Sequence, residues 1–271
     1  MDSADDTPAL DPTVRFSDRA QAYASGRPGY PPQIAGHVAR ELALAPGAVI
    51  VDLGSGTGLS SRIFLQAGFR VIGVEPNAQM RAQAERALAD MPDFVSVAGR
   101  AQATTLPDAS ADCVAAAQAF HWFDLNATRA ESLRILRAPP RAALIWNVRR
   151  TQESDFSRGY ERLLLEFGGE YPQIRERHTD ENSIGAFFGG PHWRRSDFEH
   201  VTELDFELLA ARVSSTSYLP APHDSAYAPM MRALRQLFDS NQRAGRVAMQ
   251  YDARVYSGLI HAGPIHTGKT A

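Results

Sequence analysis

Three glycines and a preceding acid mark the segment of the sequence that is best suited to bind a ligand. The run VDLGSGTGLSS (51–61) places Gly54, Gly56 and Gly58 at alternate positions, after a β-branched run and before a helix-like stretch. Glycine at such a turn allows the backbone to approach a ligand closely and to adopt positive φ. Asp52 ends the strand with a carboxylate that would repel a pyrophosphate but suits a cationic amino-acid ligand.

The spacing of this loop separates it from two common nucleotide-binding loops. A dinucleotide fingerprint has glycine three places after its second glycine, where this sequence has Leu59, and there is no Gly-Lys-Ser/Thr of a phosphate-binding loop. Glu75 ends the next β-branched run, 21 residues after Gly54. A carboxylate at that place accepts hydrogen bonds from both hydroxyls of a ribose, as in NAD sites. An NAD-binding oxidoreductase therefore stays open as an alternative.

The elements that position these residues follow an alternating pattern typical of a parallel sheet with crossover helices. The predicted strands cover 48–53, 70–75, 94–98, 112–117 and 142–148. The predicted helices between them cover 57–67, 77–90 and 124–137. Asn77 follows Pro76 and is the predicted N-cap of the second helix.

The flanking segments predict further helices and two strands that complete the sheet. The helices cover 15–24, 31–44, 158–167 and 225–240. The strands cover 198–207 and 250–260, and 168–193 is predicted to be an irregular glycine-rich stretch. We expect 150–195 and 208–245 to pack above the sheet. The fold class is therefore α/β, with a seven-stranded, mostly parallel sheet, an antiparallel last strand and helical elaborations over its carboxyl edge.

Composition narrows the class of protein. A hydrophobic fraction of 44% and a charged fraction of 22% over 271 residues are those of an ordinary globular chain. A formal charge of -3 lacks the basic excess that neutralises a phosphate backbone, so we predict no nucleic-acid partner. Cys113 alone cannot form an internal disulfide. No stretch approaches the ~18 apolar residues of a membrane span. We expect a cytoplasmic protein with no membrane partner; its oligomeric state is not predicted.

The local composition and the predicted helices and strands together indicate how the chain is divided. Residues 1–12 are acidic and contain proline, which argues against a signal peptide and predicts a disordered N-terminus. A single domain is expected over 13–261, and a flexible tail over 262–271. Within the domain, 31–150 is expected to form the ligand-binding core, and 151–261 an elaboration on the other side of the site together with the final strands.

Taken together, these runs resemble class I S-adenosylmethionine-dependent methyltransferases, specifically the type 11 domain and its trans-aconitate-methyltransferase-like relatives. The similar runs are the glycine loop, FSDRAQAYASGRPGYP (16–31), GVEPNAQM (73–80), AGRAQATTLPDASADCV (98–114), AQAFHWFD (117–124), ALIWNVR (143–149), SSTSYLP (214–220) and QYDARVY (250–256). The resemblance implies a Rossmann-like fold with helices on both faces of the sheet. It also implies S-adenosylmethionine as cofactor, S-adenosylhomocysteine as product and a small-molecule acceptor.

The resemblance also implies roles for residues that contact the cofactor. Those that hold its methionine part are Asp52, Gly54, Gly56 and Gly58. Glu75 holds the ribose, while Pro76 and Met80 pack against the adenine.

Two further segments contribute to the same site. Relatives often carry an acid after the third strand, where this chain has Gly99-Arg100-Ala101-Gln102. The adenine contact therefore falls to the Gln102 carbonyl or the backbone of Ala101. Gln118 and Ala119 lie beside the sulfonium.

Aromatic and basic residues are the candidates on the acceptor side. His121 is predicted to contact cofactor or acceptor and is the one candidate base. The segment with Tyr23 and Arg27 is implied to close over the carboxylate end of the cofactor. The residues assigned to the acceptor are Tyr30, Trp122, Trp146 and Arg149. The alternatives are a hydrophobic plug for Trp122 and Phe123, aromatic docking for Tyr30 and an exposed position for Arg149.

Methyl transfer from a sulfonium is an in-line displacement that depends on alignment and on exclusion of water. It requires no metal, and the eight histidines show no HExxH or carboxylate cluster at ligand spacing. We therefore predict no metal cofactor. A carboxylate acceptor is already nucleophilic, whereas a hydroxyl would need a base such as His121. Arg149 is placed to hold an acidic acceptor. A non-catalytic S-adenosylmethionine-binding protein also stays open.

Overall fold

The computed structural model describes residues 27–172 and 180–261. Its strands are β1 (Val49–Leu53), β2 (Arg70–Val74), β3 (Phe94–Val97), β4 (Ala111–Ala117), β5 (Leu136–Arg149), β6 (Trp193–Leu204) and β7 (Val247–Leu259). Its helices are α1 (Gln33–Glu41), α2 (Leu59–Gln66), α3 (Ala78–Ala87), α4 (Leu125–Ile135), α5 (Asp155–Phe167), α6 (Glu181–Phe188), α7 (Phe206–Ser214) and α8 (Tyr227–Asn241). Tyr23, the predicted helix at 15–24 and both predicted flexible ends lie outside the described residues.

The seven strands form one sheet in the order β3-β2-β1-β4-β5-β7-β6. The first five are mutually parallel, and β7 runs antiparallel to both β5 and β6. The predicted seven-stranded α/β sheet with an antiparallel last strand is therefore confirmed. The order reverses between β1 and β4, and open α/β sheets bind ligands at the carboxyl ends of strands beside such a point.

Successive side chains of a strand point to opposite faces of the sheet, so each strand contributes to two apolar layers, one on each face. Ile50 and Ile145 face α1 and α2, and they belong to the same apolar cluster as Phe64 of α2. Val51 and Trp146 face the opposite side, where α4 and α6 cover the sheet. Helices therefore cover both faces, as predicted.

A third apolar cluster lies beyond the carboxyl edge of the sheet. It combines α5, α7 and α8 with the start of β7, where Met249 and Tyr251 are buried. Two of these helices begin at side-chain caps, with Ser154 capping α5 and Asp205 capping α7. This cluster forms the wall of the site on the β5–β7 side.

Two predicted segments differ from the structure. Residues 168–193 were expected to be irregular and above the sheet, but α6 forms there and packs Phe187 and Phe188 on the sheet face. The strand expected at 198–207 instead spans Trp193–Leu204. It ends because Asp205 accepts from the Leu208 amide and starts α7.

Candidate functional site

The glycine loop lies at the carboxyl end of β1, and each glycine occupies the left-handed region of φ. Gly56 has φ +55° and no heavy atom within 4 Å of the position that a Cβ would take. A Cβ on Gly54 would lie 2.7 Å from the Cβ of Ala119, and one on Gly58 would lie 2.7 Å from Leu88 Cδ1. Gly56 thus borders open space, while Gly54 and Gly58 are required by close packing.

Glu75 holds this loop from the end of β2. Its Oε2 accepts from the Gly56 amide at 3.1 Å, and its Oε1 accepts from the Asn77 amide at 2.9 Å. Burial raises the pKa of Glu75, against the two backbone hydrogen bonds. The Asn77 side chain accepts from the Gln79 and Met80 amides, which confirms it as the predicted N-cap of α3.

Asp52 lies beneath the loop and is fully buried. Its Oδ2 accepts from the hydroxyls of Ser60 and Ser61, each at 2.7 Å. Burial raises the pKa of Asp52 to about 6, against these hydrogen bonds. Asp52 therefore joins β1 to the first turn of α2; it is absent from the described residues that line the cavities around the loop.

A cavity of about 890 Å³ opens between the carboxyl ends of β1, β2 and β4. Its described lining consists of Gly54, Gly56, Glu75, Pro76, Asn77, Met80, Arg100, Ala101, Gln102, Ala117, Gln118, Ala119, Trp122 and Phe123. The structure thus brings together most residues that were predicted to contact the cofactor. It adds Asn77, Arg100, Ala117 and Phe123, each of which adjoins a predicted site residue in sequence. We call this space the first cavity.

A second cavity of about 1160 Å³ adjoins the first, and Gln118 lines both. Its other described lining residues are Arg27, Pro28, Asn147, Val148, Arg149, Thr151, Tyr160, Tyr171, Arg212, Thr216, Tyr218, Met249, Tyr251 and Arg254. Four of these are arginines, and none of the described lining residues is a carboxylate. Arg27, predicted at the cofactor, lies here together with Arg149.

Gln118 holds an uncommon backbone conformation at the junction of the two cavities. Its φ is +54°, although it is not glycine, and such strain is concentrated at functional sites. Its Nε2 donates to the main-chain oxygen of Asn147 at 3.2 Å. That bond turns Oε1 away from Asn147, and Oε1 is buried with no hydrogen-bond partner among the described residues.

Arg149 is held by a buried acid, and its predicted alternative as an exposed arginine is wrong. The guanidinium bonds to Glu161 Oε2 and, at 2.9 Å, to the hydroxyl of Tyr171, which itself donates to Glu161 at 2.8 Å. Burial opposes its charge, but the surrounding groups, led by Tyr171, outweigh burial and raise the pKa of Arg149. Nε of Arg149 is buried without a hydrogen-bond partner in the described part.

The structure separates three other predicted acceptor-side residues from these two cavities. His121 and Trp146 line a third cavity, of about 680 Å³, together with Asp180 and Ser183. Trp146 is 2% exposed and packs edge-on against Phe120 and Tyr256. Tyr30 packs with the apolar layer under α1. Trp122 lines the first cavity, as does Phe123, which was expected to be a plug.

Residues 27–172 and 180–261 contain no group of three or more His, Cys, Asp or Glu side chains arranged to hold a metal ion. Within the same residues, no helix is both long and apolar enough to cross a membrane.

Comparison with known proteins agrees with this geometry. The family described as "Methyltransferase domain" matches residues 51–140. An uncharacterised methyltransferase from Mycobacterium tuberculosis is 34% identical over 211 residues, which cover 77% of this chain and 79% of the relative. The chain belongs to the methyltransferase-domain family. A further uncharacterised methyltransferase, from Schizosaccharomyces pombe, is 34% identical over 47% of this chain and 50% of its own.

Solved structures show the same fold. A structure described as a type II methyltransferase from Anaeromyxobacter dehalogenans superposes with a TM-score of 0.65 at 24% identity, over 86% of this chain and 98% of its own. An S-adenosylmethionine-dependent methyltransferase from Aquifex aeolicus superposes with a TM-score of 0.51 at 14% identity, over 90% and 99%. The protein is thus a Rossmann-like, S-adenosylmethionine-dependent methyltransferase. The family assignment favours this activity over the NAD-dependent and non-catalytic alternatives.

Proposed function

We propose that this methyltransferase transfers the methyl group of S-adenosylmethionine to a carboxylate oxygen of a small anionic molecule. The observation that carries the proposal is the lining of the second cavity. It contains four arginines, and the cavity adjoins the first one at Gln118. Guanidinium groups recognise carboxylates through charged, often bidentate hydrogen bonds. Such an acceptor agrees with the resemblance of the sequence to trans-aconitate-methyltransferase-like relatives.

The first cavity fits the cofactor. Open space beside Gly56 accommodates the methionine part, and the Glu75 carboxylate keeps lone pairs for the ribose hydroxyls beyond the two that backbone amides occupy. Pro76 and Met80 provide an apolar wall for the adenine, with Ala101 and Gln102 at its edge. When bound, S-adenosylmethionine supplies an electrophilic methyl group on a sulfonium. Gln118 lines both cavities, and Ala119 follows it in the lining of the first.

Asp52 and Gly58 are not among the described residues that line the first cavity, and we propose that they support the cofactor site indirectly. Asp52 holds α2 through Ser60 and Ser61 and adds a negative charge beneath the methionine site. Gly58 allows α2 to approach Leu88 at the end of α3.

A carboxylate acceptor also agrees with the absence of a base from the described lining of the second cavity. His121 lies on the third cavity. Burial raises the pKa of Tyr218 and that of Tyr251, so both phenols are protonated at neutral pH and do not act as bases. A carboxylate needs no deprotonation, whereas a hydroxyl acceptor would. The enzyme's contribution is then alignment of the acceptor oxygen with the methyl group.

Methyl transfer to a panel of acids tests this proposal. The panel contains mono-, di- and tricarboxylates, including trans-aconitate, each paired with its amide and its alcohol. Mass spectrometry should detect a gain of one methyl group on acids only, and the product should release methanol in mild base as an ester does. Methylation of the amides or alcohols at comparable rates would overturn the carboxylate assignment.

A further inference from the structure

Asn147, near the end of β5, joins three separate parts of the site. It is 7% exposed and lines the second cavity. Its main-chain oxygen accepts from Gln118 Nε2 at 3.2 Å. Its Nδ2 donates to the main-chain oxygen of Gly29 at 3.1 Å, and its Oδ1 lies 3.0 Å from His200 Nε2. The residue therefore uses both ends of its carboxamide and its own carbonyl.

The direction of each bond follows from the chemistry of the partners. The Gly29 carbonyl can only accept, so the amide nitrogen of Asn147 must face it. The amide oxygen then faces His200, whose Nε2 must carry the proton. His200 in turn stacks on Tyr251, with ring centroids 5.1 Å apart and planes at 20°. Tyr251 lines the second cavity and accepts from Arg212 at 2.6 Å.

These bonds lead to the walls of both cavities. Gln118 lies where the cavities meet, Gly29 follows the wall residues Arg27 and Pro28, and His200 supports Tyr251. We propose that Asn147 is a positioning residue, which fixes the acceptor wall relative to Gln118 so that acceptor and methyl group align. The inference rests on the proposed function for the identity of the two cavities. The proposed role of Asn147 is to align the acceptor with the methyl group, so replacing Asn147 should leave the affinity for the cofactor nearly unchanged.

The expected loss of rate on replacing Asn147 follows from the sensitivity of methyl transfer to geometry. A displacement of about 1 Å between reacting groups costs on the order of 10²-fold in rate. Asn147→Leu keeps the number and branching of the side-chain heavy atoms but leaves the Gly29 carbonyl and the His200 N–H without their Asn147 partners. We expect single-turnover methyl transfer to slow by about 10²-fold. The dissociation constant of S-adenosylhomocysteine should stay within about threefold of the wild-type value, since Asn147 is not among the described residues that line the first cavity.

Two variants of His200 separate positioning from loss of fold. His200→Gln retains an N–H donor toward Asn147 Oδ1, while His200→Phe retains only the stacking ring. The glutamine variant should lose less than about tenfold in rate, and the phenylalanine variant should approach Asn147→Leu. Equal rates in the two variants would overturn the role of this hydrogen bond. Asn126→Leu, on an exposed part of α4, is the matched control.

Deuterium exchange tests the same inference without any acceptor. In Asn147→Leu the amides of Ile34 and Ala35, which donate to the carbonyls of Pro31 and Pro32 just after the anchored Gly29, should exchange at least about tenfold faster than in wild type and in Asn126→Leu. Unchanged exchange would overturn the inference, whatever the acceptor proves to be. Faster exchange in an enzyme that methylates no carboxylate would support the anchoring by Asn147 and contradict the proposed acceptor, so the two failures are distinguishable.

Discussion

The Gly56 amide donates a 3.1 Å hydrogen bond to Glu75 Oε2, which ties the loop after β1 to the end of β2. The acid proposed to hold the ribose therefore also shapes the loop proposed to hold the methionine part. The two ends of the cofactor site depend on one side chain. Substitutions at either residue should affect binding of the whole cofactor.

Gly56→Val should abolish S-adenosylhomocysteine binding in a folded protein. The valine side chain would occupy the open space beside the loop, and φ of +55° is unfavourable for a β-branched residue. Calorimetric titration measures the affinity, and circular dichroism reports the fold. Gly68→Val is the matched control, since Gly68 has φ +84° and open surroundings but is exposed after α2. If Gly56→Val binds like wild type, the loop does not border the cofactor.

Glu75→Ala should weaken S-adenosylhomocysteine binding by roughly 1–3 kcal/mol, the range for hydrogen bonds to a charged group. Titration with the 2′-deoxy analogue separates the ribose contact from the effect on the loop. Wild type should lose affinity for this analogue, while Glu75→Ala should bind both forms nearly equally. An equal loss in both proteins would show that Glu75 supports only the loop.

Asp52→Asn should change how stability depends on pH. The folded-state pKa of about 6 lies above the reference value of 3.8, so the native state favours the protonated acid. The stabilisation from this group is complete below about pH 4 and is lost as pH rises through 6. The asparagine side chain of the variant does not titrate, so the variant should gain stability relative to wild type between pH 4 and 6, by up to about 3 kcal/mol. Urea unfolding at several pH values measures this difference, and a constant difference would contradict the raised pKa.

Arg149→Ala should raise the acceptor KM by about 10–100-fold, because a charged anchor for the substrate is lost. Affinity for S-adenosylhomocysteine should be unchanged. Arg150→Ala is the control, since the neighbouring arginine pairs with Asp252 and Glu199 and should leave the acceptor KM unaltered. Steady-state kinetics with the acid identified in the panel measures both. Equal effects of the two substitutions would remove Arg149 from the acceptor site.

His121→Asn should leave the rate within about threefold of wild type and add no basic limb to the pH–rate profile. The reason is its place on the third cavity, away from the described lining of the second. A loss of about 10²–10⁴ in rate would indicate a general base and contradict the carboxylate assignment.

The sequence predicts the central part of the fold well because a helix connects β1 to β2, β2 to β3 and β4 to β5, which gives a simple alternating pattern. It fails for α6, whose eight residues include Gly185 and are too few to show a periodic face. The signals that could have found it are the N-cap Asp180 and the left-handed Gly189 at its end. Asp205, the cap of α7, likewise explains why β6 ends early.

The residues that line the first cavity were predictable because loop spacing and strand ends bring them together locally. The wall of the second cavity was predicted only in part, at Arg27, Gln118 and Arg149, because its other members come from distant segments, as far as Arg254 near the end of the described chain. The spacing of residues in the sequence cannot show that the buried Glu161 forms an ion pair with Arg149. The runs SSTSYLP and QYDARVY contain Thr216, Tyr218, Tyr251 and Arg254 of this wall, and their resemblance to the family was the available signal.

The most direct test of the central claim is a crystal structure of the enzyme with S-adenosylhomocysteine and the acid that gives the highest kcat/KM. We expect S-adenosylhomocysteine in the first cavity, with its sulfur toward Gln118. We expect the substrate in the second cavity, with one carboxylate oxygen aligned with that sulfur and the substrate's negative charge on Arg149. A substrate bound in the third cavity, beside His121 and Trp146, would contradict the proposed acceptor site.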